Sequence, residues 1–180
     1  MKKSVIFFGL IILLTASTLN AFDSERKGFV VGGGLGLAPM VKWKIDNGNA
    51  EDTKIGNSFN AFIGNGFSNS NLLVFEFNGA FFSSDYFLTE NQHSLFFGPV
   101  WYHFWNDEMF TLIGAGRMSL KGNWKVTSPG WGMMIGTGYE IYKHFILTGY
   151  LAAGRTDPYG HDADWSTSLH FGINLSVMGY

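Results

Sequence analysis

From Ser168 to Val177 the chain alternates strictly, with Leu169, Phe171, Ile173, Leu175 and Val177 in one set and Ser168, His170, Gly172, Asn174 and Ser176, continuing the row from Ser166, in the other. A period of two belongs to a β-strand, whose successive side chains point to opposite faces of a sheet. One face is wholly apolar and the other polar or bare, so the strand must separate two different surroundings. The pattern recurs over Gly28–Ala38, Lys54–Phe67, Leu72–Phe82, Gln92–Phe104, Met109–Leu120, Gly130–Ile141, His144–Arg155 and Trp165–Val177, which predicts about eight strands. The chain has 24 glycines and 17% aromatic residues but only 14% charged ones, where a soluble domain carries about a quarter. In hydrocarbon every backbone polar group must be paired within the structure, so alternating strands of this composition predict an all-β, closed, antiparallel transmembrane barrel.

The connections support the same reading. Those around Met40–Thr53, Ser83–Asn91, Lys121–Pro129 and Thr156–Asp164 are long, whereas Ser68–Asn71, Trp105–Glu108 and Tyr142–Lys143 are turns. Long on one side and short on the other is the pattern of bacterial outer-membrane barrels, with both termini expected in the periplasm. Residues 1–21 read as a signal peptide: Lys2 and Lys3, an apolar run from Val5 to Leu14, and Ala21 at the expected cut. The barrel domain is then 22–180. It carries 10 Lys and Arg (the 12 of the whole chain without Lys2 and Lys3) against 14 Asp and Glu, a net charge of −4, which argues against a nucleic-acid partner. No cysteine is present, so no disulfide or lipid-bearing cysteine is available.

The run Lys27–Met40, KGFVVGGGLGLAPM, fits no phosphate-binding spacing. Read as a strand, it turns Gly32, Gly34 and Gly36 inward and Phe29, Val31, Leu35 and Leu37 outward. A lumen of eight strands is only wide enough for side chains to fill, so these glycines are expected to make room for inward Phe62, Phe96, Tyr102 and Tyr150. Glu76 and Glu140 fall on inward faces. Arg117 is assigned inward as the counter-charge for Glu76, through a turn near Asn106 that sets Phe96 opposite it, while Leu95, Phe97 and Trp101 face lipid. Gly98-Pro99 is expected to form a bulge, and His144 or periplasmic water to partner Glu140.

The stretch Gly130–Arg155, GWGMMIGTGYEIYKHFILTGYLAAGR, together with WSTSLHFGINLSVMGY and the glycine-rich first strand, resembles the β-barrel domain family of small Gram-negative outer-membrane proteins. The resemblance covers essentially the whole mature chain. It implies a monomeric barrel inserted by the barrel assembly machinery, in contact with outer-membrane lipid and lipopolysaccharide. Tyr180 departs from the family pattern, being out of phase with the row Leu169–Val177.

The function expected is non-enzymatic, in envelope structure or surface interaction through the outer loops, with no cofactor. Two rivals stay open. One is a lipid A acyl hydrolase or acyltransferase using Ser168 and His170, with Glu140 or Glu76 as orienter, although the His-x-Ser motif of the deacylase is absent and the order here is Ser-x-His. The other is a soluble lipocalin-like carrier, which would put the apolar row inside. Lys42, Lys44, Lys121, Lys125 and Arg155 near the outer rim are candidate lipopolysaccharide contacts. Asp157, His161, Asp162 and Asp164 on the last long loop are candidate metal ligands, although no spacing singles them out.

Overall fold

A computed structural model describes residues 25–45, 51–83, 91–122, 125–126, 128–157 and 166–180. The strands are β1 (Gly28–Ile45), β2 (Glu51–Ser68), β3 (Asn71–Ser83), β4 (Asn91–Phe104), β5 (Met109–Gly122), the two-residue β6 (Lys125–Val126), β7 (Ser128–Tyr142), β8 (Phe145–Asp157) and β9 (Ser166–Gly179). Each wall strand is antiparallel to its neighbours, in the order β1-β2-β3-β4-β5-β7-β8-β9. The ladder from Val31↔Gly179 to Ile45↔Ser166 joins β9 back to β1. Eight strands therefore close into a barrel without edges, the arrangement that leaves no strand unpaired in lipid; β6 pairs only with β5.

The outward positions form an apolar belt, with Leu35, Ile55, Phe75, Phe97, Ile113, Trp131, Ile135, Leu147 and Leu175 all exposed. This is the reverse of a lipocalin, whose apolar residues line the inside. The inside is filled. Phe62, Phe96, Tyr102, Phe110, Met118, Met134 and Tyr150 are buried there, and glycines create their space: a Cβ on Gly32 would lie 2.3 Å from the Phe62 ring, and one on Gly172 would lie 2.3 Å from the Tyr150 hydroxyl.

One irregularity changes the faces of β1. In β1 the register shifts at Pro39-Met40 on both sides. The shift reverses parity: Leu35 and Leu37 point outward before it, Lys42 and Lys44 after it, while Val41 turns inward. The expected bulge at Gly98-Pro99 is absent. β3 pairs straight through it, and on the β5 side the register from Phe97↔Arg117 to Val100↔Gly114 is conserved across the interruption. Pro99 lacks only its own N–H, which costs one ladder bond without requiring an inserted residue.

The fifth strand is the main correction. Phe97, not Phe96, lies opposite Arg117, and Phe96 lies opposite Met118. The turn is centred on Asp107, because the Asn106 side-chain oxygen accepts from the backbone N–H groups of Glu108 (2.9 Å) and Met109 (2.6 Å). That displacement exchanges the two faces of β5. Gly114, Gly116 and Met118 face the lumen, and Arg117 is exposed on the outer wall between Phe97 and Trp131.

Candidate functional site

The lumen is built in tiers. At mid-height Glu76, buried on β3, accepts from the Tyr102 hydroxyl at 2.7 Å and from the Asn78 amide at 3.2 Å. Neutral donors hold this carboxyl where a cation was expected; Arg117, its assigned partner, is on the other side of the wall. Beside it the Ser58 hydroxyl meets both the Tyr150 hydroxyl, at 3.0 Å, and the Asn174 side-chain oxygen, while Ser176 donates to Asn60 at 2.9 Å. These bonds cross from β2 to β8 and β9, so they tie strands that are not ladder neighbours as well as satisfying buried polar atoms.

The mouth at the turn end is closed by Arg26, just ahead of β1. Its Nη2 lies 2.6 Å from Glu140 Oε2 and also donates to the Asp107 carbonyl. Nη1 reaches the Asn69 carbonyl at 3.3 Å, and the guanidinium carbon stands 3.9 Å from the Phe104 ring centre. Glu140 Oε1 accepts from the His144 backbone N–H and from the Tyr180 hydroxyl, each at 2.8 Å. One ion pair thus gathers the β2–β3 turn, the β4–β5 turn, the end of β7 and the last residue of the sequence. A recess of about 290 Å³ opens beside it, lined by Asn69, Glu108, Tyr142 and Lys143 as well as the pair itself.

Backbone conformation permits this closure. Gly28 has φ of 90° and would place a Cβ in open space, so glycine is needed there for torsion rather than room. His144, in the β7–β8 turn, has φ of 71°, a left-handed conformation costly for a non-glycine residue. It is held by the bond to Glu140, by its Nδ1 3.1 Å from the Met178 carbonyl, and by the Tyr180 ring at 4.6 Å. Burial lowers the His144 pKa from its usual value. Burial, and next the bond to Glu140, push the Tyr180 phenol up to about 12.

In the loop half, Ser168 and His170 are both buried, but they are not joined as a nucleophile and its base. His170 Nδ1 lies 3.0 Å from Ser94 Oγ on β4, while Ser168 Oγ and His170 Nε2 have no hydrogen-bond partner among the described residues. Glu140 belongs to the opposite mouth. Serine and histidine are therefore not hydrogen-bonded to each other, and among the described residues no carboxylate backs the imidazole as the orienting third group of a serine–histidine pair.

Of the rim cations, Lys42, Lys44 and Arg155 are exposed on the outer wall, and Lys121 and Lys125 are described in backbone only, on the β5–β6 hairpin. His161, Asp162 and Asp164 lie outside the described residues, as does the side chain of Asp157. Residues 1–21 lie outside them too. Sequence reasoning missed Arg26 because it precedes the first alternating run. Its parity was nonetheless informative, since it is even-numbered like the inward Val30 and Gly32.

A closed eight-stranded antiparallel barrel with an apolar outer belt and a filled lumen defines the chain as a transmembrane β-barrel of the outer-membrane type. Two solved structures similar to it are the attachment invasion locus protein Ail of Yersinia pestis (TM-score 0.50, 13% identity, covering 83% of this chain and 99% of that one) and Neisserial surface protein A (TM-score 0.50, 14% identity, covering 82% and 96%). At such identity the likeness is one of fold. No protein-family model and no curated protein matches the sequence.

Proposed function

We propose that the chain is an integral outer-membrane protein, with the turn mouth and both termini in the periplasm, whose role is non-enzymatic: envelope integrity or surface interaction through the long connections. The observation that carries this reading is the pairing of an exposed apolar belt with a side-chain-filled interior. Chemistry and transport need an open site or path, whereas Phe96, Tyr102, Phe110 and Tyr150 occupy the axis; this leaves the loops and outer wall to meet partners. Outer-membrane lipid and lipopolysaccharide are the contacts for the exposed Lys42, Lys44 and Arg155, and the barrel assembly machinery inserts the chain as a monomer.

The test has three readouts. Unheated protein in mild detergent should migrate differently from boiled protein, planar bilayers should show no stable large conductance, and lipid A mass spectra should be the same for cells with wild type, with Ser168→Ala, or without the protein. Identical gel mobility would remove the barrel, a steady large conductance the filled lumen, and an acyl change lost in Ser168→Ala the non-enzymatic role.

A further inference from the structure

On the outer wall at the turn end, Asn71 is fixed by the atoms around it. Its side-chain oxygen accepts from the Trp101 indole N–H at 3.2 Å, and its amide nitrogen donates to the Ser68 hydroxyl at 3.0 Å. An indole N–H only donates, so the atom it meets is the oxygen. His103 Nδ1 lies 3.0 Å from that same oxygen, which has no hydrogen to give. Nδ1 therefore carries the hydrogen, and Nε2 of the neutral ring is left as an acceptor. No described residue donates to it. Asn71 and His103 are the last ladder pair of β3 and β4 on the turn side, and toward the loops the outward rows become apolar at Leu73, Phe75 and Ile113. Trp101 and Trp105, both exposed, precede and follow His103 in the outward row, with ring centres 5.5 Å and 4.7 Å from the imidazole. Opposite His103 on β5, Thr111 offers a hydroxyl that no described residue engages.

We propose that His103, held in one tautomer by Asn71 and flanked by Trp101 and Trp105, binds the primary ammonium headgroup of a phospholipid. The bare Nε2 calls for an N–H donor, and a charged donor makes the stronger bond. Indole faces attract cations within about 6 Å, the scale on which both indoles stand around this ring. The turn that follows Trp105 carries exposed Asp107 and Glu108, while no lysine or arginine stands on the outward rows of β3, β4 or the turn half of β5. The local field therefore favours the cationic part of a headgroup over its phosphate. The acyl chains continue along Leu73, Phe75 and Ile113, a surface that a free amine cannot use. Aromatic residues at a membrane interface serve any lipid; the fixed acceptor nitrogen adds a choice between lipids. A quaternary ammonium satisfies the indoles equally well but has no N–H to give to Nε2. The inference rests on the turn end lying at a bilayer surface.

Native mass spectrometry of the purified full chain in mild detergent tests it, with phosphatidylethanolamine and phosphatidylcholine of identical acyl chains as probes. Wild type should retain the ethanolamine lipid at least roughly tenfold more than the choline lipid, the effect of one charge-assisted hydrogen bond. His103→Phe keeps an aromatic ring and loses the acceptor, so it should retain the two lipids alike. Lys143→Gln, on the β7–β8 turn, should behave as wild type. Equal retention of the two lipids by wild type, or a preference that survives in His103→Phe, would overturn the site; displacement by millimolar phosphoethanolamine would assign it to a soluble ligand and overturn the lipid. The comparison within wild type needs no variant to fold. A gel shift of unheated protein without lipid preference sinks this site alone, whereas absence of the shift removes the barrel on which it rests.

Discussion

At Glu140 a carboxylate faces a guanidinium 2.6 Å away, whereas Glu76 is held by a phenol and an amide. The two sites should answer substitution differently. Arg26→Ala leaves Glu140 in the closed mouth without its cation, and removing one partner of such a pair costs about 3–5 kcal/mol. Lys27→Ala, beside it in sequence but with its ion pair to Glu25 more than half exposed, should cost less than about 1 kcal/mol. Urea midpoints of vesicle-inserted protein separate the two, and Arg26→Ala/Glu140→Gln should recover part of the loss. Glu76→Gln should stay within about 1 kcal/mol of wild type. The Tyr102 hydroxyl still has an oxygen to donate to, and the new amide can donate to Asn78 Oδ1, which is buried without a partner. Tyr102→Phe removes the strongest donor to a buried carboxyl and should cost about 1–3 kcal/mol by the same midpoint.

At the level of strands, the sequence announces a face wherever one polar residue breaks an apolar row, as Glu76 does in β3 and Ser168 to Ser176 do in β9. In β5 two glycines and one arginine competed for the inward side. The deciding information was the centre of the β4–β5 turn, a single side-chain oxygen on Asn106 that alternation does not reveal. The β1 bulge was likewise hidden, because a proline inside a strand marks Ala38-Pro39 and Gly98-Pro99 alike, and the partner strands shift only at the first. The end of β9 carries a pH prediction. In the folded protein the Tyr180 phenol is held up to about 12 against an ordinary 10.0, so it keeps its proton more tightly than in the unfolded chain. Its contribution is complete below pH 10 and disappears as pH rises through 12. Unfolding midpoints across that window should therefore fall more steeply for wild type than for Tyr180→Phe, and parallel curves would contradict the latch.

For the molecule as a whole, eight strands, their alternating connections and a filled interior could be read from periodicity and composition, because lipid enforces both. The closure of the turn mouth could not, since it joins Arg26, Asn69, Asp107, Glu140 and Tyr180 from five separate parts of the chain, and no local pattern encodes that meeting. The inward glycines of β1 have a further consequence, one of kinetics. β1 and β9 are the first and last wall strands, so their ladder brings together segments more than a hundred residues apart and can complete only when the sheet between them exists. On the β1 side that seam is lined by Gly32, Gly34 and Gly36, and a Cβ on Gly34 would lie 2.2 Å from both the Leu175 carbonyl and the Ser176 hydroxyl oxygen. A bare strand can slide into its final register with few side chains to reorder. Gly34→Ala should therefore slow the last phase of insertion into vesicles, accumulating a species with strand circular dichroism but no gel shift, while Gly149→Ala, whose nearest neighbour would be 4.0 Å away, should insert at the wild-type rate.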